Sequence, residues 1–180
     1  MTPSTGSFVR PAGPGDADSL AQLQRQTWLA RYGLLISEVD LPDVDASRAQ
    51  WADLVAATDS DGQCALVLAA LADGVVVGVL AAAPADDPDL ADTEWQEVLE
   101  LAVDGAHVGQ GHGSRLLAAW ADTARAAGTL GGAIWVRAGD DDLRSLLIAC
   151  GFEADGAHRT LDLHGDGTVT VQMLRLSCVL

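Results

Sequence analysis

The most informative stretch of this chain is Leu101-Ala-Val-Asp-Gly-Ala-His-Val-Gly-Gln-Gly-His-Gly-Ser-Arg-Leu-Leu117. It opens on a strand-like apolar run and closes in a helix with apolar residues at helical spacing. Between them Gly109, Gly111 and Gly113 alternate, so no β-carbon keeps a ligand from the backbone. The amides that begin a helix favour an anion. The stretch predicts either a phosphate-binding loop or a tight strand–helix connection, which glycine-rich turns also form.

Two common phosphate-binding motifs are excluded. The dinucleotide fingerprint GxGxxG does not match, because Ser114 occupies the position of its last glycine. No acidic residue follows at the distance that this motif requires. A P-loop needs a lysine, and all ten basic residues of the 180-residue chain are arginine.

The remaining patterns predict one mixed α/β (α+β) domain over residues 8–180, after a disordered lead-in at 1–7. Consecutive strands are mostly antiparallel in the predicted order β-α-α-β-β-β-α-β-α-β-β. Asp73-Gly74 predicts a hairpin turn. The predicted strands cover 8–10, 64–71, 75–83, 97–103, 133–136, 157–163 and 168–176, and the predicted helices follow Asp16 and cover 47–57, 114–127 and 142–150.

The net charge restricts the partners. Ten basic residues stand against 26 acidic ones, a formal charge of −16, which argues against nucleic acid and favours a cationic partner. Acidity that merely keeps an alanine-rich chain soluble is the alternative. No apolar run is long enough to span a membrane. The first residues lack the basic and apolar regions of a signal peptide, so we expect a cytoplasmic protein.

Residues 101–117 resemble the main coenzyme-A-binding motif of the GNAT N-acetyltransferases, which use R/Q-x-x-G-x-G/A between the fourth strand and the third helix. Three further stretches extend the resemblance over residues 8–176. They are Phe8-Val-Arg-Pro-Ala with Asp16-Ala-Asp-Ser-Leu, Trp28-Leu-Ala-Arg-Tyr-Gly-Leu-Leu, and Cys150-Gly-Phe. The resemblance implies a GNAT-type fold with a mixed, mostly antiparallel central sheet flanked by helices. It also implies acetyl transfer from acetyl-coenzyme A to a primary amine by direct attack in a ternary complex.

The resemblance also implies the coenzyme-binding residues. The backbone of Leu101 and Val103 would contact the pantetheine arm, and the amides that follow would hold the pyrophosphate. Val108 departs from the Arg or Gln usual at its position, so a side-chain contribution is missing there. The loop residues implied are Val108, Gly109, Gln110, Gly111, His112, Gly113 and Ser114.

Glu97 and Glu100 are the candidate bases, because the attacking amine has to lose a proton. Strict strand alternation places Glu97 on the face of Leu101 and Val103, with Glu100 on the opposite face. Glu97 also aligns with a catalytic glutamate of several family members, which makes Glu100 the weaker candidate. An idle, solvated carboxylate at the edge of the sheet is the alternative for Glu97.

The proton donor of the family is missing here. The family usually places a tyrosine in its fourth helix, and that register falls on Leu147, so slow turnover is expected. Trp28 and Tyr32 belong to the substrate-side segment, where Tyr32 either lines the pocket or packs. The four histidines show no metal spacing, and no metal is expected. A module that binds acyl-coenzyme A without turnover is the rival function, and the acceptor and a homodimer are left open.

Overall fold

The computed structural model describes residues 6–36, 40–58, 65–90 and 94–180, so residues 1–5 of the predicted lead-in and position 64 lie outside the described residues. Its seven strands form one sheet in the order β1-β2-β3-β4-β5-β7-β6. The strands are β1 (Phe8–Pro11), β2 (Leu66–Ala72), β3 (Val75–Pro84), β4 (Trp95–Val103), β5 (Gly131–Arg137), β6 (Glu153–Asp162) and β7 (Thr170–Val179). The helices are α1 (Ala17–Tyr32), α2 (Val44–Ala57), α3 (His112–Ala126) and α4 (Asp141–Ala149). The predicted order of elements is confirmed.

The two faces of the sheet carry different helices. Val67 and Val79 point to a core shared with α1 and α2, whereas Leu68 and Leu80 point to a core shared with α3. Strands buried on both faces read as nearly continuous apolar runs, which is why 65–71 and 75–83 show no alternation. No helix in the described ranges is long and apolar enough to cross a membrane.

Local signals fix the turns and the helix starts. Asp73 and Gly74 adopt φ angles of 49° and 83°, which confirms the predicted hairpin turn between β2 and β3. Asp43 caps α2 by accepting hydrogen bonds from two backbone amides, so this helix begins three residues earlier than predicted. Asp140 caps α4 in the same way.

A β-bulge in β4 overturns the prediction from strict alternation. Ala81 of β3 pairs with Glu100, but the next residue, Ala82, pairs with Val98, so Leu99 is an extra residue. Beyond the bulge the faces exchange. Glu97 therefore lies on the face opposite Leu101 and Val103, and it shares the α1 face of the sheet with Glu100.

The bulge also marks the point where β4 and β5 separate. The two strands pair in parallel from Trp95 with Gly131 to Val98 with Ile134, and no pairing continues beyond, although both strands do. The edge of β4 after the bulge is therefore free of a strand partner on that side. This divergence opens the sheet where the candidate site lies.

Candidate functional site

The glycine loop leads directly into α3, whose first residue is His112. Gly109 and Gly111 have φ angles of 79° and 80°, a left-handed conformation that favours glycine. The Arg115 guanidinium donates to the Gln110 carbonyl at 3.0 Å, and the Ser114 hydroxyl donates to the Gly111 carbonyl at 3.0 Å. The loop conformation is thus fixed by its own helix.

A cavity of about 580 Å³, here called the loop cleft, lies between this loop, β4 and α4. Gln110 is the one predicted loop residue outside its lining, and its side chain instead donates to the Ala106 carbonyl. A β-carbon on Gly113 would lie 2.8 Å from the Cδ2 methyl of Leu146 in α4, so a larger residue here would displace that side chain. The predicted residues that line the cleft are Leu101, Val103, Val108, Gly109, Gly111, His112, Gly113 and Ser114.

His112 is not the exposed loop residue that its position suggests. Its side chain is buried, and the Arg115 guanidinium donates to its Nδ1 atom at 3.2 Å. Burial lowers the pKa of this imidazole, and the charge of Arg115 adds to the effect. His112 is therefore a neutral packing residue behind the loop.

A second cavity of about 320 Å³, here called the central cavity, lies under α1 on the other side of the β4 bulge. Trp28 and Tyr32 of α1 line it, and so do Glu97 and Glu100. The turn between β6 and β7 closes one end, where His164 Nε2 lies 3.9 Å from Asp40. The central cavity is thus assembled from side chains distant in sequence.

The two carboxylates differ in their surroundings. Glu100 is buried, and it accepts hydrogen bonds from Trp28 Nε1 at 2.9 Å and from Gln24 Nε2 at 3.4 Å. Glu97 is partly buried, and burial raises the pKa of its carboxyl group, an effect that the positive charge of Arg159 opposes. Glu100 is thus held in place by hydrogen bonds, whereas burial shifts Glu97 towards its protonated form.

Arg31, which sequence reasoning did not single out, lies where the two cavities meet. Both linings share Arg31, Leu101 and Leu143. Its guanidinium donates to the Leu101 carbonyl at 3.4 Å, and its Nε lies 3.1 Å from the Asp140 carboxylate. The only signal in the sequence was the i, i+3 spacing from Trp28, which places both residues on one side of α1.

Tyr32 lies beside a cavity, whereas Leu147 lies in the core. The Tyr32 ring lies in the central cavity, 5.9 Å from the Arg137 guanidinium, and burial raises the pKa of its hydroxyl group. Leu147 is fully buried in the core beneath α4 and borders neither the loop cleft nor the central cavity. At the position where the family usually has a tyrosine, this chain therefore has a leucine that packs in the core.

Comparison with known proteins now adds to this geometry. The sequence model of the Acetyltransferase (GNAT) family matches residues 19–152, three quarters of the chain. The chain belongs to the GNAT family. A search of curated proteins found none that matches it.

Solved structures of similar fold include several GNAT acetyltransferases. PaiA N-acetyltransferase from Thermoplasma acidophilum, in complex with coenzyme A, has a TM-score of 0.74 at 16% identity, over 98% of this chain and 100% of its own. YncA, a putative acetyltransferase from Salmonella typhimurium with acetyl-CoA, gives 0.74 at 19% identity, over 98% and 95%. Ribosomal-protein-alanine N-acetyltransferase from Brucella melitensis gives 0.74 at 24% identity, over 96% and 99%. These likenesses establish the GNAT fold.

The GNAT match ends at Phe152, before β6 and β7. That hairpin supplies one wall of the central cavity through Arg159, Leu161, Leu163 and Met173. The matched part of the chain holds the loop and both glutamates. The wall formed by the β6–β7 hairpin lies outside the matched part.

Proposed function

We propose that this protein is an N-acetyltransferase that moves the acetyl group of acetyl-coenzyme A to a primary amine by direct attack in a ternary complex. The observation that carries the proposal is the meeting of two cavities at Arg31, Leu101 and Leu143. One cavity is lined by a helix-initiating glycine loop and the other by two carboxylates. A donor and an acceptor that entered from the two sides would meet at the junction.

The loop cleft suits coenzyme A in three respects. The backbone amides that begin α3 are of the kind that bind an anion, as a pyrophosphate requires. Gly109 has open space where a β-carbon would stand. The unpaired edge of β4 beyond the bulge offers backbone groups to a pantetheine arm. The coenzyme A in the PaiA structure and the acetyl-CoA in the YncA structure support the same assignment.

Glu97 is the proposed base. An amine attacks only when neutral, and the raised pKa of the Glu97 carboxyl favours uptake of the proton. The Glu100 carboxylate already accepts hydrogen bonds from Trp28 and Gln24, which assigns it to orienting the ammonium group. Since both side chains face the central cavity, they attract a protonated amine, as the net charge of −16 also does.

Departure of the thiolate is the proposed slow step. A thiol of pKa about 8.5 leaves as an anion near neutral pH unless a proton donor is present. Leu147 cannot donate a proton. The Arg31 guanidinium lies at the junction of the cavities, paired with Asp140 through Nε, and its remaining N–H groups are the donors proposed to stabilise negative charge on the leaving sulfur.

Acetylation of a panel of primary amines, followed by mass spectrometry and by release of free thiol, tests the proposal. We expect one acetylated amine for each thiol released. Tight binding of acetyl-coenzyme A without turnover on any amine would favour the rival function, a module that binds the acyl-coenzyme without transfer.

A further inference from the structure

The central cavity contains an arginine that the proposed reaction does not use. Arg159 of β6, an exposed residue, is part of its lining. We propose that Arg159 binds a carboxylate of the acceptor, which makes the acceptor a small free amino acid with an apolar side chain. This inference rests on the proposed function, since it concerns the acceptor of that reaction.

Arg159 lacks the partners that arginines have elsewhere in this protein. With 26 acidic residues for ten arginines, carboxylates are in excess, and most arginines form hydrogen bonds or ion pairs. Within the described part of the chain, only Arg137 and Arg159 form neither. Arg175, by contrast, is bound by three carboxylates, those of Asp87, Asp89 and Asp155. An unpaired guanidinium beside a cavity in so acidic a chain is suited to an anionic ligand.

Trp135 holds Arg159 in place without using its donors. The guanidinium carbon lies 4.2 Å from the centre of the indole ring. Stacking on an aromatic face leaves the in-plane N–H groups of a guanidinium free, and these groups match a carboxylate bidentately. The strand order places Arg159 there, because β7 lies between β5 and β6 and all three strands direct residues to one face.

Glu97 supplies the complementary charge. Both residues line the central cavity, and Arg159 opposes the rise of the Glu97 pKa, so the two charges lie close enough to interact. Glu97 and Arg159 do not form a direct ion pair with each other. An α-amino acid placed between them would direct its ammonium group to Glu97 and its carboxylate to Arg159.

The remaining wall defines the rest of the acceptor. Leu41, Leu99, Leu161, Leu163 and Met173 make this wall largely apolar, and Asp40, which faces His164, lies at its end. Its volume of about 320 Å³ stands at the lower end of small-molecule sites, which range from about 300 to 1,000 Å³. A single amino acid with an aliphatic or aromatic side chain matches this size and polarity. The acceptor then carries the cationic group expected from the net charge, but it is zwitterionic as a whole.

Paired acceptors test the inference without changing the protein. Phenylalanine and 2-phenylethylamine, or leucine and 3-methylbutylamine, differ only in the carboxylate. We expect the wild-type protein to acetylate the amino acid of each pair with a kcat/KM about 10- to 100-fold higher, as a charge-assisted hydrogen bond gives. Phenylalaninamide, which keeps the shape but lacks the negative charge, should behave like the simple amine.

The variant Arg159→Gln completes the comparison. Measured at a pH above the acid limb of the profile, it should lower kcat/KM for the amino acids to about the level of the simple amines, and it should lower the kcat/KM of the simple amines far less. The matched control is Arg125→Gln, because Arg125 is exposed on α3 and pairs with Asp122. Equal use of both members of each pair by the wild type, or an equal loss for both in Arg159→Gln, would overturn the inference alone. Failure to acetylate any amine would overturn the proposed function together with it.

Discussion

The loop cleft and the central cavity are adjacent, yet they are built in different ways. The coenzyme contacts proposed for the cleft come from one continuous stretch, Leu101 to Ser114, while Arg31 and residues of α4 form the rest of its lining. The cavity draws its side chains from α1 and the segment after it, from the four strands β4 to β7, from α4 and from the turn between β6 and β7. A site made of backbone is fixed by where the glycines stand, whereas a site made of side chains is fixed by the order of the strands. Substitutions should therefore affect the two regions in separable ways.

The largest separable effect is expected from Glu97→Gln in the central cavity. Loss of a general base lowers kcat by about 10² to 10⁴-fold. Coenzyme binding, measured by calorimetry, should not change, because Glu97 does not line the loop cleft. Glu94→Gln is the matched control, since Glu94 is exposed just before β4. An unchanged kcat would transfer the role of base from Glu97 to Glu100 or to water.

The converse effect is expected from Gly109→Val in the loop cleft. Gly109 has a φ angle of 79° and open space where its β-carbon would stand, so the variant combines backbone strain with an obstacle to the coenzyme. Affinity for coenzyme A should fall by about 10- to 100-fold, or 1.4 to 2.8 kcal/mol. Gly128→Val provides the control. Gly128 has a φ angle of 84° and the same open space, but it lies past the other end of α3. An equal loss of affinity in both variants would mean that backbone strain alone lowers the affinity, without any obstruction of the coenzyme by the new side chain at position 109.

The difference between the two regions also explains which features could be predicted from the sequence and which could not. The order of elements and the Asp73-Gly74 turn depend on local patterns, and the structure agrees with them. The predicted loop residues also form a local pattern, and all of them except Gln110 border one cleft. The bulge at Leu99 is an extra residue that appears only in the pairing with β3, so alternation placed Glu97 on the wrong face. Arg159 meets Trp135 only because β7 lies between their strands. Neither feature leaves a signal within a short window of sequence.

A third substitution tests whether the core beneath both regions can supply the missing proton donor. Leu147→Tyr should destabilise the protein by about 1 to 3 kcal/mol through overpacking, because Leu147 is fully buried. Turnover should not increase. Ile148→Tyr is the matched control, since the neighbouring Ile148 is exposed and should tolerate the ring. Thermal unfolding and kcat together check the prediction, and faster turnover in Leu147→Tyr would mean that its hydroxyl group reaches the leaving thiolate.

The smallest expected effect is a shift in the pH profile of the central cavity. If Glu97 is the base, kcat/KM falls as the pH drops through its pKa, because the protonated carboxyl group cannot accept a proton. Burial raises that pKa above the usual value of 4.5, so the acid limb should lie above the range of an ordinary glutamate. The charges that act on Glu97 come from β6, β7 and the β3–β4 connection, namely Arg159, Arg175, Asp86 and Asp87.

Two variants should move this acid limb in opposite directions. Arg159 lowers the pKa of Glu97, so Arg159→Gln should move the limb to higher pH. Asp86 raises that pKa, so Asp86→Asn should move the limb to lower pH. The acceptor for this measurement is 2-phenylethylamine, which has no carboxylate for Arg159 to bind and thus separates titration from recognition. Because a general loss of stability would not produce shifts of opposite sign, only a base placed between these two charges accounts for both. A limb that stays in place in both variants would assign the titration to a group other than Glu97.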